Sequence, residues 1–273
     1  MTSIDAAAIR EALNPETVSR MARLDVFPEI DSTNGWLMAQ TVPDTGMHRV
    51  AVAGHQTAGR GRGDKRWLSA PGSSLCLSIA HTFEEEPDNM SSLTLAVGVA
   101  AVHALRDTGA GDVQLKWPND IVAGEGKLGG MLAESHHRSG SGATVVVGIG
   151  INLDLPPDIL ASVDSAWAHS PANLASVLGH NVSPESLSAA MIDHIVDSLL
   201  RFEEQGFRAF AATWRRLDWL QGRAVTVRQA GRSVRGTAFG IDNDGALLIK
   251  EAATTTRVIS GSIEVHGIGG TPS

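Results

Sequence analysis

Between Val113 and Leu153 the chain runs through four apolar segments: Val113–Lys116, Ile121–Ala123, Leu128–Glu134 and Thr144–Leu153. The connections between them are four to nine residues long. A parallel crossover needs about a dozen residues or more, usually a helix, so strands joined this closely pair antiparallel. The spacing predicts an α+β protein on a mixed, largely antiparallel sheet and argues against a doubly wound one. It also disposes of a decoy. Gly124, Gly126 and Gly129 have the G-x-G-x-x-G spacing of a dinucleotide site, but that site needs a following helix, and here another strand follows.

Other elements group around this run. Asp31-Ser32-Thr33-Asn34 supplies N-cap residues for a helix through Trp36, Leu37 and Met38. Arg49–Gly54 and Leu75–Ala80 read as strands. Ser91-Ser92 caps a long helix with Leu95, Val99, Val102 and Leu105 at helical spacing, and residues 172–216 read as helical. After Asp218 the character changes to five short strands, with Asp242-Asn243-Asp244-Gly245 as a hairpin turn. The expected division is a catalytic domain over 1–218 and a small five-stranded barrel over 219–273.

With 273 residues, 42% hydrophobic and 19% charged, the chain is long enough for one or two domains with a good core. A net charge of −8 argues against broad binding to nucleic acid. The single cysteine, Cys76, fits a reducing compartment and lies in Ser-Leu-Cys-Leu-Ser, where it reads as a buried strand residue rather than a nucleophile. No signal peptide pattern and no membrane-length apolar run is visible, so the expectation is a cytoplasmic protein with no membrane partner.

Against that acidic background, His55–Trp67 holds Arg60, Arg62, Lys65 and Arg66 among Gly59, Gly61 and Gly63. Arginine forks match carboxylate and phosphate oxygens, and glycines leave the backbone free, so this reads as a mobile loop closing on an anionic ligand. A solvated basic turn is the plainer alternative. In the strand over 144–153, Gly148, Gly150 and Asn152 share one face, stripped so that something can lie flat on the backbone, or to permit a bend. Strict alternation over 126–132 puts Lys127 and Gly129 on one side, with Leu128, Gly130 and Leu132 on the other. Lys127 then reaches an anion or is a solvated edge charge. Lys116-Trp-Pro-Asn-Asp120 offers a phosphate contact (Lys116), an amide contact (Asn119) and a carboxylate for Mg²⁺ (Asp120), or is an ordinary turn. His55, His81 and His136-His137 show no metal-ligand spacing. Neither a P-loop nor a serine-hydrolase motif occurs.

Five blocks in order, Ser32-Thr33-Asn34, Gln56 with Gly59–Arg62 and Trp67, Lys116–Asp120, Lys127–Gly130 and Gly148–Asn152, closely resemble the biotin protein ligases. The resemblance runs from about residue 24 to the C-terminus. It implies a catalytic domain related in fold to class II aminoacyl-tRNA synthetases, followed by an SH3-like barrel. It implies ATP- and Mg²⁺-dependent activation of biotin as biotinyl-5'-AMP and transfer to a lysine of a biotin carboxyl carrier protein, such as that of acetyl-CoA carboxylase. By this resemblance Ser32, Thr33, Asn34, Gln56 and Gly129 belong to the biotin site. Arg60, Gly61, Arg62 and Lys127 meet the junction of carboxylate and α-phosphate, with Arg60, Arg62 and Lys127 as the catalytic residues. Trp67 and Asn152 belong to the nucleotide; the reading of the Lys116–Asp120 turn adds Lys116 and Asn119 as nucleotide contacts and Asp120 as the carboxylate for Mg²⁺.

The family loop reads Gly-Arg-Gly-Arg-x-Gly-Arg-x-Trp, whereas here Asp64 replaces the third glycine and Lys65 the third arginine. The N-terminal DNA-binding domain of repressor-type members has no counterpart, which implies a monofunctional ligase without a DNA partner. The oligomeric state stays open between monomer and weak dimer. A lipoate–protein ligase or octanoyltransferase of the same wider fold is the nearest alternative, and a nucleic-acid-binding module the more distant one.

Overall fold

The computed structural model describes residues 4–63, 65–137, 142–156, 171–229, 231–252 and 254–266. Helices α1 (Ala6–Ala12) and α2 (Pro15–Arg20) lead into β1 (Met21–Phe27). Asp5 caps α1 by accepting from the Ala7 amide, and Pro15 opens α2, where a missing N–H costs no helical bond. Next come α3 (Thr33–Met38), β2 (His48–Ala53), β3 (Ser74–Thr82) and α4 (Leu93–Asp107). The four segments that opened the sequence argument form β4 (Val113–Lys116), β5 (Asp120–Ala123), β6 (Gly126–His137) and β7 (Ala143–Asn152).

These seven strands form one sheet in the order β1-β2-β3-β7-β6-β5-β4. Only β1 and β2 pair parallel; the other pairs are antiparallel, as the short connections require. The sequence reading gave no warning of β1. It is an edge strand with mostly half-exposed residues, so the apolar pattern that marks a strand is weak there.

The helical stretch expected over 172–216 is three helices, α5 (Leu174–Leu178), α6 (Pro184–Gln205) and α7 (Arg208–Arg216). Gly179 (φ 77°) and Gly206 (φ 63°) end the first two in left-handed geometry, where a side chain would be strained.

The two faces of the sheet differ. Leu75, Leu77 and Ile79 of β3 and Val145, Val147, Ile149 and Ile151 of β7 point into one core with α4 and α6. Alternate residues point the other way. Of these, Ala80 and Val146 pack with Leu37 of α3, while Cys76 and Ser78 stand opposite Gly150 and Gly148. Thus the helices fill one face, and small residues leave the other open beside α3.

Strands β8 (Ala224–Gln229), β9 (Arg232–Ile241), β10 (Leu247–Glu251), β11 (Thr254–Val258) and β12 (Ser262–Val265) form a separate antiparallel sheet, ordered β11-β10-β9-β8-β12. Its hairpin turn is the expected one: Asp242 accepts from the Asp244 and Ala246 amides, with Gly245 at φ 85°. The two sheets meet at a bonded seam. Leu115 exchanges backbone hydrogen bonds with Leu217 and Trp219, Trp117 donates Nε1–H to the Gly245 carbonyl (3.0 Å), and Arg223 pairs with Glu125 (2.9 Å). No described helix is long and apolar enough to cross a membrane.

Candidate active site

A cleft of about 320 Å³ lies on the open face of the large sheet, between α3, the 59–67 loop, strands β5 to β7 and residues 261–263 of the small sheet. This volume suits a small organic ligand. Among its described lining residues are Arg60, Arg62, Lys65, Arg66, Lys116 and Lys127, against a single acid, Asp120. In a protein of net charge −8, that local excess of positive charge selects an anion.

The loop is a small hairpin rather than a free strap. Arg60 bridges Arg66, the Gly61 amide donates to Lys65 O (2.8 Å), and the Trp67 amide donates to Gly59 O (3.0 Å). Gly63 turns it at φ 66°. Arg62 reaches across to the Gly261 carbonyl (3.2 Å), tying loop to small sheet. Burial pulls the Arg62 guanidinium below its ordinary pKa, with Asp120 opposing. Asp64 lies outside the described residues.

The floor is a hydrogen-bonded chain. Ser32 caps α3 through the Gly35 amide (3.2 Å). Thr33 donates both its backbone amide (2.7 Å) and its hydroxyl (3.1 Å) to Gln56 Oε1. Ser78 donates to Asn34 Oδ1 (2.6 Å), with Thr33 Oγ1 2.7 Å away, and Asn34 Nδ2 donates to Glu134 (2.8 Å). Cys76 lies in the same strand face, its thiol pushed up to about 12 by burial despite Trp67 and Gln56; it stays protonated and is no nucleophile.

Lys127 is held by Asp120, Nζ to Oδ1 2.6 Å, and its Nζ lies 5.9 Å from the Trp67 ring centroid. Burial pulls both Lys127 and Lys116 below the ordinary lysine pKa, with Asp120 opposing in each case. As the one described acid in the lining, Asp120 fits the way Mg²⁺ is usually held, by one or two carboxylates together with substrate phosphates.

Ser32, Thr33, Asn34, Gln56, Arg60, Gly61, Arg62, Trp67, Lys116, Asn119, Asp120 and Lys127 all line this one cleft. Gly129 does not. A bulge at Leu128 places Val122 opposite Lys127 but Ile121 opposite Gly129, so strict alternation fails there. A side chain on Gly129 would strike Gly150 O at 2.6 Å and Ile151, whereas one on Gly130 would meet the Lys127 amine at 3.1 Å. Gly130 therefore shares the Lys127 side, the reverse of the alternating pattern. Asn152 is also displaced from the cleft: its amide donates to the Lys127 and Ala172 carbonyls, bracing the strand behind Lys127.

The bare face of β7 does have something lying against its backbone, and that something is protein. A Cβ on Gly148 would collide with the Asn34 amide, and one on Gly150 with the Trp67 indole at 2.5 Å. The glycines make room for protein side chains, which in turn form the cleft. Two participants escaped the sequence reading. Ser78 was signalled by the small-residue face of β3, and Glu134 only by being the single acid of β6.

Residues 26–152 match the model of the Biotin/lipoate A/B protein ligase family, which sets the class, and residues 221–265 match that of the Biotin protein ligase C terminal domain. The chain is 31% identical over 241 residues to the Bifunctional ligase/repressor BirA of Escherichia coli, covering 88% of this chain and 73% of that protein. It is 30% identical over 236 residues to the Biotin--[acetyl-CoA-carboxylase] ligase of Paracoccus denitrificans, covering 82% and 92% respectively. Its fold is similar to the structure of the biotin protein ligase from Aquifex aeolicus in complex with biotin and ATP, with a TM-score of 0.74 at 26% identity over 90% of this chain and 98% of that one. The chain belongs to the biotin protein ligase family.

Proposed function

We propose that the chain activates biotin with ATP as biotinyl-5'-AMP and attaches it to a lysine of a biotin carboxyl carrier protein. The observation that carries this reading is the positive charge around one small cleft of an acidic protein, on the strands and loop that match the family. The match of residues 221–265 to the biotin ligase C-terminal domain favours biotin over lipoate or octanoate.

In the first step a biotin carboxylate oxygen attacks the α-phosphorus of ATP, and the bond to pyrophosphate breaks. Two anions must meet; at an intermediate dielectric, like charges about 4 Å apart repel by about 4 kcal/mol. Arg60, Arg62 and Lys127 offset that repulsion where it peaks, in the transition state. Ser32, together with the hydrogen-bonded pair of Thr33 and Gln56, presents donors and acceptors to the polar biotin head. Lys116, Asn119 and Trp67 take the nucleotide, and Asp120 is the residue to hold Mg²⁺, which neutralises phosphate charge when bound. In the second step the carrier lysine amine attacks the anhydride carbonyl, the amide forms, the amine loses a proton and AMP leaves. The activated carbonyl removes the need for an enzyme nucleophile, consistent with the inert Cys76.

We assign catalysis to residues 1–218 and completion of the cleft wall to 219–273, in a cytoplasmic protein that works as a monomer or weak dimer. Mass spectrometry of a carrier domain incubated with the protein, biotin and Mg-ATP is expected to show the mass increase of one biotin amide. An unchanged carrier mass would sink this reading.

A further inference from the structure

Glu134 stands behind the cleft rather than in its lining, yet it touches two residues that form it. Its Oε2 accepts from Arg60 Nη2 at 2.9 Å and from Asn34 Nδ2 at 2.8 Å. Asn34 is itself immobilised: it is 4% exposed, takes the Ser78 hydroxyl on Oδ1, donates also toward Leu132 O (3.4 Å) and lies over the bare Gly148. The carboxylate is thus a fixed point on β6, oriented by a buried amide. The loop carrying Arg60 is a hairpin closed by backbone bonds at Gly59 and Gly61, which fix the main chain but leave the long Arg60 side chain to be oriented by its own partner. The Arg60 and Glu134 side chains are 46% and 25% exposed, and ion pairs at such exposure contribute little to stability.

We infer that Glu134 is a positioning residue for the first chemical step. It grips one edge of the Arg60 fork so that the remaining N–H groups face the ligand anions, and Asn34 acts through Glu134 rather than on the ligand. The inference rests on the ligase reading. A negative charge here weakens anion binding slightly, so its benefit must lie in alignment, which separates turnover from binding.

Glu134→Gln keeps an oxygen for Asn34 and removes the charged grip on Arg60. In biotin-dependent ATP–pyrophosphate exchange, E134Q is expected to lower kcat by about tenfold or more while KM for biotin moves by less than about threefold. In an Arg60→Ala background the same substitution should have no further effect, because its route of action is gone. Unchanged kcat in E134Q, a rise in KM alone, or losses that multiply in the double variant would each overturn the inference. If E134Q does not fold by circular dichroism, Arg60→Lys replaces it: lysine keeps the charge but has no fork to align, so kcat should fall as in R60A, and near wild-type turnover would overturn the proposal. Absence of exchange in the wild type would instead remove the ligase reading, and this proposal with it.

Discussion

Arg62 and Lys127, the two cations proposed to meet the ligand's charge, are held in the cleft by two kinds of support. Lys127 projects from a strand, is locked to Asp120 at 2.6 Å and is braced from behind by Asn152. Arg62 projects from the loop and, among the described residues, rests on the Gly261 backbone carbonyl. Removing a fixed cation from a desolvated site forfeits more transition-state stabilisation than removing a tethered one, and Lys127→Ala also takes from Asp120 its 2.6 Å partner. K127A is therefore expected to slow pyrophosphate exchange by about 10²–10³-fold, and Arg62→Ala by less, with both folded. Exchange near the wild-type rate in both would remove these cations from the chemistry. Residue types and order were enough to pick out both. They could not reveal which glycine lies beside Lys127, because a single bulge at Leu128 reverses the alternation on which that reading depends.

Strands β2 and β3 carry a different kind of feature. His48 and His81 sit opposite each other in register, ring centroids 4.9 Å apart, both essentially without exposure and with no hydrogen-bond partner on any ring nitrogen. Burial lowers His48 to about 4, helped by Arg20, and His81 to about 3, helped by His48; Glu203, 3.5 Å from His81, does not reverse this. Both rings are neutral in the folded protein at pH 7. Their unfolded counterparts bind protons near 6.5, so the unfolded chain takes up more protons as the pH falls. Stability is then lost from about pH 6.5 downward toward the folded values, at about 1.4 kcal/mol per pH unit for each histidine. Asp218, pushed up to about 7 by burial, pulls the opposite way, losing its contribution as the pH rises from the ordinary carboxylate range. The informative comparison is therefore between variants: His81→Gln is expected to flatten the denaturant-derived stability between pH 6.5 and 4.5 relative to wild type, and parallel curves would contradict it.

The two sheets are joined by groups that neither satisfies alone. Trp117, in the connection from β4 to β5, is 2% exposed and donates to Gly245 in the hairpin of the small sheet, while Leu115 bonds the chain on both sides of Asp218. The cleft needs both parts as well, since residues 261–263 form one of its walls. Such a seam predicts one cooperative unfolding transition. Trp117→Phe keeps most of the ring but leaves a buried carbonyl unpaired, at a cost of about 1–3 kcal/mol. In a chain of this size that lowers Tm by about 2–4 °C per kcal/mol. Scanning calorimetry should show a single shifted peak for W117F; two separated peaks in the wild type would mean the sheets unfold independently.

Short connections dictated the antiparallel pairing, Ser32 the start of α3, the Asp242–Gly245 turn its hairpin, and the charge contrast of residues 60–66 the anionic character of the ligand. Each depends on neighbours within a few residues, so the chain carries it locally. Long-range packing supplied the rest: Asn34 and Trp67 filling the space over Gly148 and Gly150, Asp120 holding Lys127, Glu134 holding Arg60, and the edge strand β1. Those partners lie tens of residues apart, and what joins them is the shape of the space between elements, which no local pattern encodes.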